Sequence, residues 1–184
     1  RIMRNLMQGA NFIQSHILHF YHLAALDYVK GPDTPPFTPR YEGDYRLPKS
    51  VNDAAVNHYV QALDMRKKCH EMLAIFGCKT PDSMTFVPGG VTEEVTVDKI
   101  VSYLWRLKEI IYFVDNVYVP DVLAVADAYE DYYDIGGGYG NFLSYGVFDL
   151  DKSGANKLLK RGTYIDGRDG AMNANQITEH VKHS

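Results

Sequence analysis

Three histidines in the stretch QSHILHFYHLAALDYV are the first side chains in this sequence that could do chemistry. His16, His19 and His22 follow one another at intervals of three residues, and a neutral imidazole can bind a metal or carry a proton. On a helix, each such step rotates about 60°, so the three side chains span about 120° of one flank without converging on a point. We therefore favour a polar face in a core or interface over a metal site, and proton transfer stays open.

Two further stretches begin like ligand-binding motifs and then depart from them. DLDKSG opens like a calcium-binding EF-hand loop, with Asp149, Asp151 and Ser153 at its first, third and fifth positions. The twelfth position is Lys160, where calcium needs a bidentate glutamate, so we predict a turn after a strand. GGGYGN, residues 136–141, lacks the GxGxxG spacing and the preceding strand of a nucleotide-binding turn, and we predict that it ends a helix.

Composition narrows the class of protein. The 184 residues are 46% hydrophobic and 12% aromatic, which is enough for a packed core. A net charge of −4 and the absence of any basic run argue against a nucleic-acid partner. Apolar runs such as VLAVA are far shorter than a membrane span, which indicates a soluble segment, and Cys69 and Cys78 form neither a disulfide framework nor a CxxC pair.

The elements that must position these residues are mainly helical. A first helix is predicted over residues 2–29, ended by Gly31-Pro32, and a second from an N-cap at Asn52 to a stop at Gly77. Residues 31–50 hold five of the eight prolines and are predicted as an ordered loop on a larger surface or as a linker. The apolar face of the second helix is predicted from spacing to comprise Val56, Val60, Leu63, Met72 and Phe76.

Beyond a loop at 78–92, the pattern predicts a helix over about 96–118 and another over 120–133, with Pro120 as its first residue. The tyrosines of YEDYY, at the end of that helix, are predicted to be half-buried anchors against a partner. After the glycines, FLSYGVF and KRGTYIDGRD predict short strands, the latter with an Asp166-Gly167 turn. The predicted fold class is mainly α in an α+β arrangement, with a helical body at 1–135 and a small β-containing region at 136–184.

The order of these segments resembles the large subunit of nickel-iron hydrogenases. MRNLMQGANFIQSHILHFYHLAALDYV is similar to the histidine-rich helix of that family, and GCKTPDSMTFVPGGVT stands where the family has GGKxPHxQ…GGVT. VNDAAVNHYVQALDMRKKCHEMLAIFG, YVPDVLAVADAY, GNFLSYGVF and the end EHVKHS extend the resemblance over almost the whole chain. The stretch GANFIQSHILHFYHLAALDYVKGPDTPPF is particularly similar to the selenium-containing subclass.

The resemblance implies a bundle of long helices and the reversible oxidation of H2, with electrons leaving through an iron-sulfur small subunit to a carrier such as a c-type cytochrome. The family holds its nickel-iron centre by two cysteine pairs near the two ends of the large subunit, and thiolates suit these metals. Neither pair stands in this sequence, so we interpret the chain as a central part that supplies scaffold and interface but no metal ligand. A periplasmic or membrane-associated location is implied, with the cytoplasm as the alternative.

For individual residues, the resemblance places His16, His19 and His22 in a buried setting near the catalytic core, where they support the centre or pass protons. It also places the loop after Gly77 close to a cluster of the small subunit. In that loop Asp82 replaces the family's histidine and Met84 its glutamine.

Four departures from the family pattern bear on activity. Besides Asp82 and Met84 in the loop, Cys78 replaces the second glycine of GGK, and Ser15 stands where many relatives carry aspartate. A neutral imidazole can donate a hydrogen bond to a cluster sulfur, whereas an ionised carboxylate only accepts and adds negative charge. Either the potential of the cluster is lowered or the protein has diverged from hydrogen turnover. The alternative to an enzyme is therefore a noncatalytic, hydrogenase-like structural or interaction module.

Overall fold

The computed structural model describes residues 1–182, and the last two residues of EHVKHS, His183 and Ser184, lie outside the described residues. The chain forms two compact units, one spanning Arg1–Tyr133 and one beginning at Asp134. The first is helical and the second contains short strands, so the predicted fold class, mainly α with a small β-containing part, is confirmed.

The first helix, α1, spans Ile2–His22 and is shorter than predicted. It buries one stripe, formed by Met7, Ala10, Ile17 and Tyr21, whose spacing of three, seven and four residues follows the helical repeat. Leu23 leaves the helical conformation, and Ala24–Asp27 continue as a 3-10 helix. The prediction of a helix to residue 29 was wrong because the chain tightens into a 3-10 turn that buries Ala25. The spacing of apolar residues in the sequence does not indicate this turn.

The second helix, α2, spans Lys49–Gly77 and begins three residues earlier than predicted. Asn52 does not cap it. Instead, the Asn52 side chain accepts a hydrogen bond from the Lys30 backbone nitrogen at 2.7 Å and donates one to the Lys30 carbonyl at 2.9 Å. Gly77 is the last helical residue, and it is Cys78 that adopts the left-handed conformation, with φ at 58°.

The buried face of α2 also differs from the prediction. Met72 and Phe76 are buried as expected, but Val60 and Leu63 are 60% and 48% exposed. The residues that α2 turns inward are mostly small or flexible: Ala55, Ala62, Met65, Cys69, Met72, Leu73 and Phe76. The prediction from spacing assigned the bulky apolar residues to the buried face, whereas the close packing of α1 on α2 requires small ones. This difference explains why the buried face was predicted incorrectly.

Two loops of the first unit are held in place by side-chain contacts with its helical residues. Residues 31–48 form no regular element, and the Arg46 guanidinium lies over the rings of Tyr129 and Tyr132 while pairing with Asp131 at 2.5 Å. Of the two alternatives for this segment, an ordered loop is therefore correct. The prediction that the YEDYY tyrosines anchor a partner was wrong for Tyr129, which is buried and donates its hydroxyl proton to a loop carbonyl at 2.6 Å.

The other loop contains a short hairpin that the pattern did not predict. Strands β1 (Phe86–Val87) and β2 (Gly90–Val91) pair in antiparallel fashion. The buried Thr85 ties this hairpin to α2 by donating its hydroxyl proton to the Phe76 carbonyl at 2.7 Å.

The predicted helices at 96–118 and 120–133 form one continuous run. It consists of α3 (Val97–Phe113), a π-helical turn (Val114–Tyr118) and α4 (Val119–Ala128), followed by a 3-10 helix at Glu130–Asp134. Pro120 lacks an amide hydrogen and crowds the carbonyl one turn earlier, and the wider turn before it accommodates both effects. Proline therefore does not begin a separate helix here.

The core of the first unit lies where α1, α2 and α3 meet. Its largest fully buried side chains are Tyr21, Phe76, Phe113, Met7, Ile17, Met72 and Ile110. A buried polar tie joins two of the helices, since the Tyr103 hydroxyl of α3 donates to the Leu6 carbonyl of α1 at 2.9 Å. None of the helices in the described residues combines the length and the hydrophobicity needed to cross a bilayer.

The second unit contains the strands predicted in FLSYGVF and KRGTYIDGRD, and one strand, β5 (Lys157–Leu159), that was not predicted. β3 (Phe142–Ser144), β6 (Gly162–Ile165) and β7 (Arg168–Gly170) form an antiparallel sheet, and β4 (Val147–Asp149) pairs with β5.

The turns of this unit are also as predicted. Asp166 and Gly167, both with positive φ, make the turn between β6 and β7. DLDKSG is the predicted turn after a strand, where the ammonium of Lys157 neutralises the carboxylate of Asp149.

Candidate functional site

A buried carboxylate, Asp121, joins three helices at one point. Its Oδ2 atom accepts a hydrogen bond from the Tyr21 hydroxyl at 2.7 Å and lies 2.7 Å from Nδ1 of His58. Tyr21 is 1% exposed, Asp121 is 9% exposed, and the His58 side chain is 27% exposed. We call this cluster of interacting ionisable side chains the Asp121 junction.

Each member reaches the junction from a different element. Tyr21 stands in the last turn of α1 on its buried stripe, His58 in the first half of α2, and Asp121 in the first turn of α4 just after the π-helical turn. The π-helical turn changes the rotation of the following helix and so decides which side of α4 faces α1 and α2. The ring centroids of Phe113 and Tyr118 lie 5.9 and 6.0 Å from the ring centroid of Tyr21, and these rings exclude water from the Tyr21 hydroxyl.

The electrostatics of the junction fix its proton positions. Burial, reinforced by Asp121, raises the pKa of Tyr21 far above its usual value, so the phenol stays neutral and donates. A carboxylate oxygen only accepts hydrogen bonds, so His58 must carry its hydrogen on Nδ1. The lone pair of the neutral ring is then on Nε2, which has no hydrogen-bond partner among residues 1–182.

A second histidine contact lies next to the junction. His22 follows Tyr21 in α1, and its Nε2 donates to the carbonyl of Tyr59, the neighbour of His58, at 3.2 Å. Its Nδ1 is buried without a partner within the part of the chain that the structure describes. Burial lowers the pKa of His22, and the charge of Arg66 lowers it further, so the ring is held neutral.

The structure does not bring the three predicted histidines together. His16 and His19 are exposed on α1, whereas His22 is half-buried against α2. The buried setting implied for His16 and His19 is therefore not formed by residues 1–182. Their role as supporting or proton-passing residues stays a prediction.

The loop after α2 presents its predicted residues at the surface. Asp82 is exposed and Met84 is 73% exposed. Cys78 donates its thiol proton to Glu93 at 2.9 Å, and this hydrogen bond is the main reason that the pKa of the thiol is raised. Lys99 of α3 pairs with Glu93, and its charge lowers the pKa of the thiol, but the hydrogen bond to Glu93 outweighs this effect. The thiol therefore stays protonated and fixes the start of the loop.

Sequence reasoning missed the Asp121 junction altogether. The one sequence feature that pointed to the junction is Asp121, a single acidic residue inside the apolar run VYVPDVLAVA. A charged residue buried in such a run needs hydrogen-bonding or charged partners. Nothing in the sequence named those partners, because Tyr21 and His58 are 100 and 63 residues away.

The described residues do not fit a nickel-iron centre. Cys69 is buried in the core, where burial raises its thiol pKa to about 12, and Cys78 is bonded to Glu93. No group of three or more histidine, cysteine or acidic side chains within residues 1–182 could hold a metal ion.

Comparison with known proteins gives a consistent result over the whole chain. A family model described as nickel-dependent hydrogenase matches residues 1–32 and 29–184. The chain is 45% identical over 193 residues to the periplasmic [NiFeSe] hydrogenase large subunit of Desulfomicrobium baculatum, covering 100% of this chain and 38% of the relative. It is 29% identical to the uptake hydrogenase large subunit of Rhizobium leguminosarum bv. viciae, covering 99% of this chain and 41% of that protein.

Solved structures agree with the sequence matches. The Ni-Fe-Se hydrogenase of Desulfovibrio vulgaris Hildenborough in the as-isolated oxidised state superposes with a TM-score of 0.94 at 46% identity, covering all of this chain and 38% of that one. The chain thus spans well under half the length of the relatives that it matches.

Proposed function

The chain belongs to the nickel-dependent hydrogenase family, and from this premise we propose that it is the central part of a large subunit that catalyses the reversible oxidation of H2 to protons and electrons. The observation that carries the proposal is the match of the entire chain, in sequence and in fold, to hydrogenase large subunits. Within that subunit, this segment supplies scaffold and interface.

The metal centre belongs to the rest of the subunit in this proposal. The nickel-iron centre is held by ligands outside residues 1–184, and the electrons pass to the clusters of an iron-sulfur small subunit and on to a carrier such as a c-type cytochrome. Support comes from the presence of nickel in the description of the family. The similarity to [NiFeSe] enzymes favours the selenium-containing subclass.

Individual residues have supporting roles. His16 and His19, exposed on one flank of α1, are covered by other parts of the assembly, where they support the centre or pass protons. His22 supports the same region through its contact with α2. Asp82 and Met84, exposed in the loop after α2, face the small subunit. Because the relative from Desulfomicrobium baculatum is named as periplasmic, we also propose a periplasmic location.

Metal analysis of the full-length subunit with its small subunit tests this assignment. We expect stoichiometric nickel and iron in the wild-type complex and the same content when His16, His19 and His22 are all changed to Gln, because these side chains are not ligands. A folded wild-type complex without nickel would favour the noncatalytic module. Loss of nickel in a folded triple variant would make the histidines ligands.

A further inference from the structure

One ring nitrogen of His58, Nε2, is left without a hydrogen-bond partner in the described residues. Nδ1 of His58 is bound to Asp121, so Nε2 carries the lone pair of the neutral ring. Nε2 has no hydrogen-bond partner among the described residues and is not a buried atom, since the side chain is 27% exposed. The ring therefore presents a base outward from a buried carboxylate.

The rest of the junction holds this base in place. Tyr21 donates to the same carboxylate oxygen, and its buried phenol is too weak an acid to exchange its own proton. Tyr118 lies against Tyr21, and it is also neutral because burial raises its pKa. Within residues 1–182, the carboxylate that His58 contacts is thus Asp121 of α4, and the neutral phenol of Tyr21 from α1 shares the same oxygen.

This arrangement differs from that of the neighbouring histidine. His22 uses Nε2 to donate to a backbone carbonyl and buries its Nδ1, so neither nitrogen can exchange a proton with a mobile partner. His58 has the opposite arrangement, with one nitrogen fixed to a carboxylate and the other open. A carboxylate behind an imidazole fixes its tautomer and stabilises the imidazolium that forms when the open nitrogen takes a proton.

We infer that His58 is a proton-transfer residue of the assembled enzyme, with Asp121 and Tyr21 as its positioning residues. This role rests on the proposed function. Nε2 takes a proton from an acid or a water molecule, the imidazolium keeps its Nδ1 hydrogen on Asp121, and the same Nε2 proton then leaves to the next acceptor. No electron moves and no other bond changes, so the ring returns to its starting state after each transfer.

The first test uses variants of the full-length subunit assembled with its partner. His58→Gln keeps a polar side chain of similar length but cannot carry a proton, and we expect H2 oxidation to fall about 10²-fold at unchanged nickel content, the lower end of what a positioned proton-transfer group contributes. His70→Gln, twelve residues further along α2, serves as the matched control and should keep the wild-type rate.

Chemical rescue separates proton transfer from a merely structural role. In His58→Gly, added imidazole should restore the rate by about tenfold or more, because the free base replaces the missing ring. A nickel-replete His58→Gln complex with the wild-type rate would overturn the inference, and so would a His58→Gly complex that imidazole does not rescue. An inactive, nickel-replete wild type would instead contradict the proposed function and this role with it.

A measurement on the wild-type complex covers the case in which the variants do not assemble. Hydrogen-deuterium exchange at the imidazole carbon, followed by mass spectrometry, reports how open each imidazole is to solvent. His58 should exchange faster than His22. Exchange at His58 as slow as at His22 would show that Nε2 is closed to proton donors and would overturn the inference.

Discussion

The buried side chain of Asp121 has hydrogen-bond partners from two different helices on one of its oxygens. A buried carboxylate without such partners would be costly, whereas hydrogen bonds to a charged group contribute about 1.5–3 kcal/mol each. The junction therefore stabilises the meeting point of α1, α2 and α4 and also fixes the tautomer of His58. Stability and proton position depend on the same three side chains.

The Tyr21 hydroxyl gives the first prediction at this scale. Tyr21→Phe removes one donor from Asp121 without changing the shape of the ring, and we expect the free energy of unfolding to fall by about 1.5–3 kcal/mol. Thermal unfolding of the assembled protein measures this change. Tyr112→Phe is the control, because Tyr112 is exposed and its hydroxyl has no hydrogen bond within residues 1–182; its effect should stay within about 0.5 kcal/mol. Equal shifts in both variants would contradict the assignment.

His22 gives a prediction on pH dependence. Its folded-state pKa is lowered from the ordinary value of 6.5, chiefly by burial, so the unfolded chain binds a proton first as the pH falls. The stability that the neutral His22 contributes is present above about pH 6.5 and is lost as the pH falls below it. The unfolding temperature should therefore drop less between about pH 7.5 and 5.5 in His22→Gln than in the wild type.

The comparison isolates His22 because His70, whose pKa is also lowered by burial, is present in both proteins. His19→Gln, which changes an exposed histidine of the same helix, should keep the wild-type dependence on pH. A His22→Gln protein with that same dependence would show that the ring is not held neutral by burial.

Residue types alone predicted little of the junction. The histidine spacing drew attention to His16, His19 and His22, of which only His22 contacts another helix through its ring. Asp121 and His58 are ordinary residues in their local sequences, and their meeting depends on tertiary contacts across many residues. Spacing within one helix cannot report such contacts.

At the scale of elements, the close packing of α1 on α2 depends on small residues. Ala62 is fully buried in the core, although the bulkier Leu63 beside it is 48% exposed. A packed interior has no room for added methyl groups, so the buried small residue, rather than the larger apolar neighbour, sets the distance between the helices.

Ala62→Leu tests this close packing of the helices. The larger side chain must push α1 from α2, and we expect a loss of about 1–3 kcal/mol of stability, measured by thermal unfolding of the assembled protein. Gln61→Leu places the same new side chain at the adjacent exposed position and should cost much less. If Gln61→Leu were as harmful as Ala62→Leu, α2 would be rotated from the orientation seen here.

Helical periodicity predicted that these helices exist, and the glycine and proline signals placed most boundaries within a few residues. It did not predict that α3 and α4 are continuous through a π-helical turn, because Pro120 commonly begins a helix and gives no sign of a wider turn before it. The β1–β2 hairpin was missed because strands of two residues are too short to show an alternating pattern.

At the scale of the whole molecule, the chain spans 38% of the Desulfomicrobium baculatum large subunit that it resembles throughout. Its described residues include exposed apolar side chains on α3, among them Val101, Leu104 and Trp105, and no ligand set for a metal. The exposed apolar side chains suit a segment that works inside a larger assembly. The family was recognisable from the order of motifs, whereas the Asp121 junction required the fold.

The central claim, that this segment serves a hydrogen-cleaving enzyme, is tested most directly by isotope exchange. The purified complex of full-length large and small subunits is incubated with D2 in H2O, and the release of HD is followed by mass spectrometry, which reports the cleavage of hydrogen without any electron acceptor. We expect HD to form at a steady rate that depends on the presence of nickel. A folded, nickel-replete complex that forms no HD would contradict the account and favour a noncatalytic hydrogenase-like module.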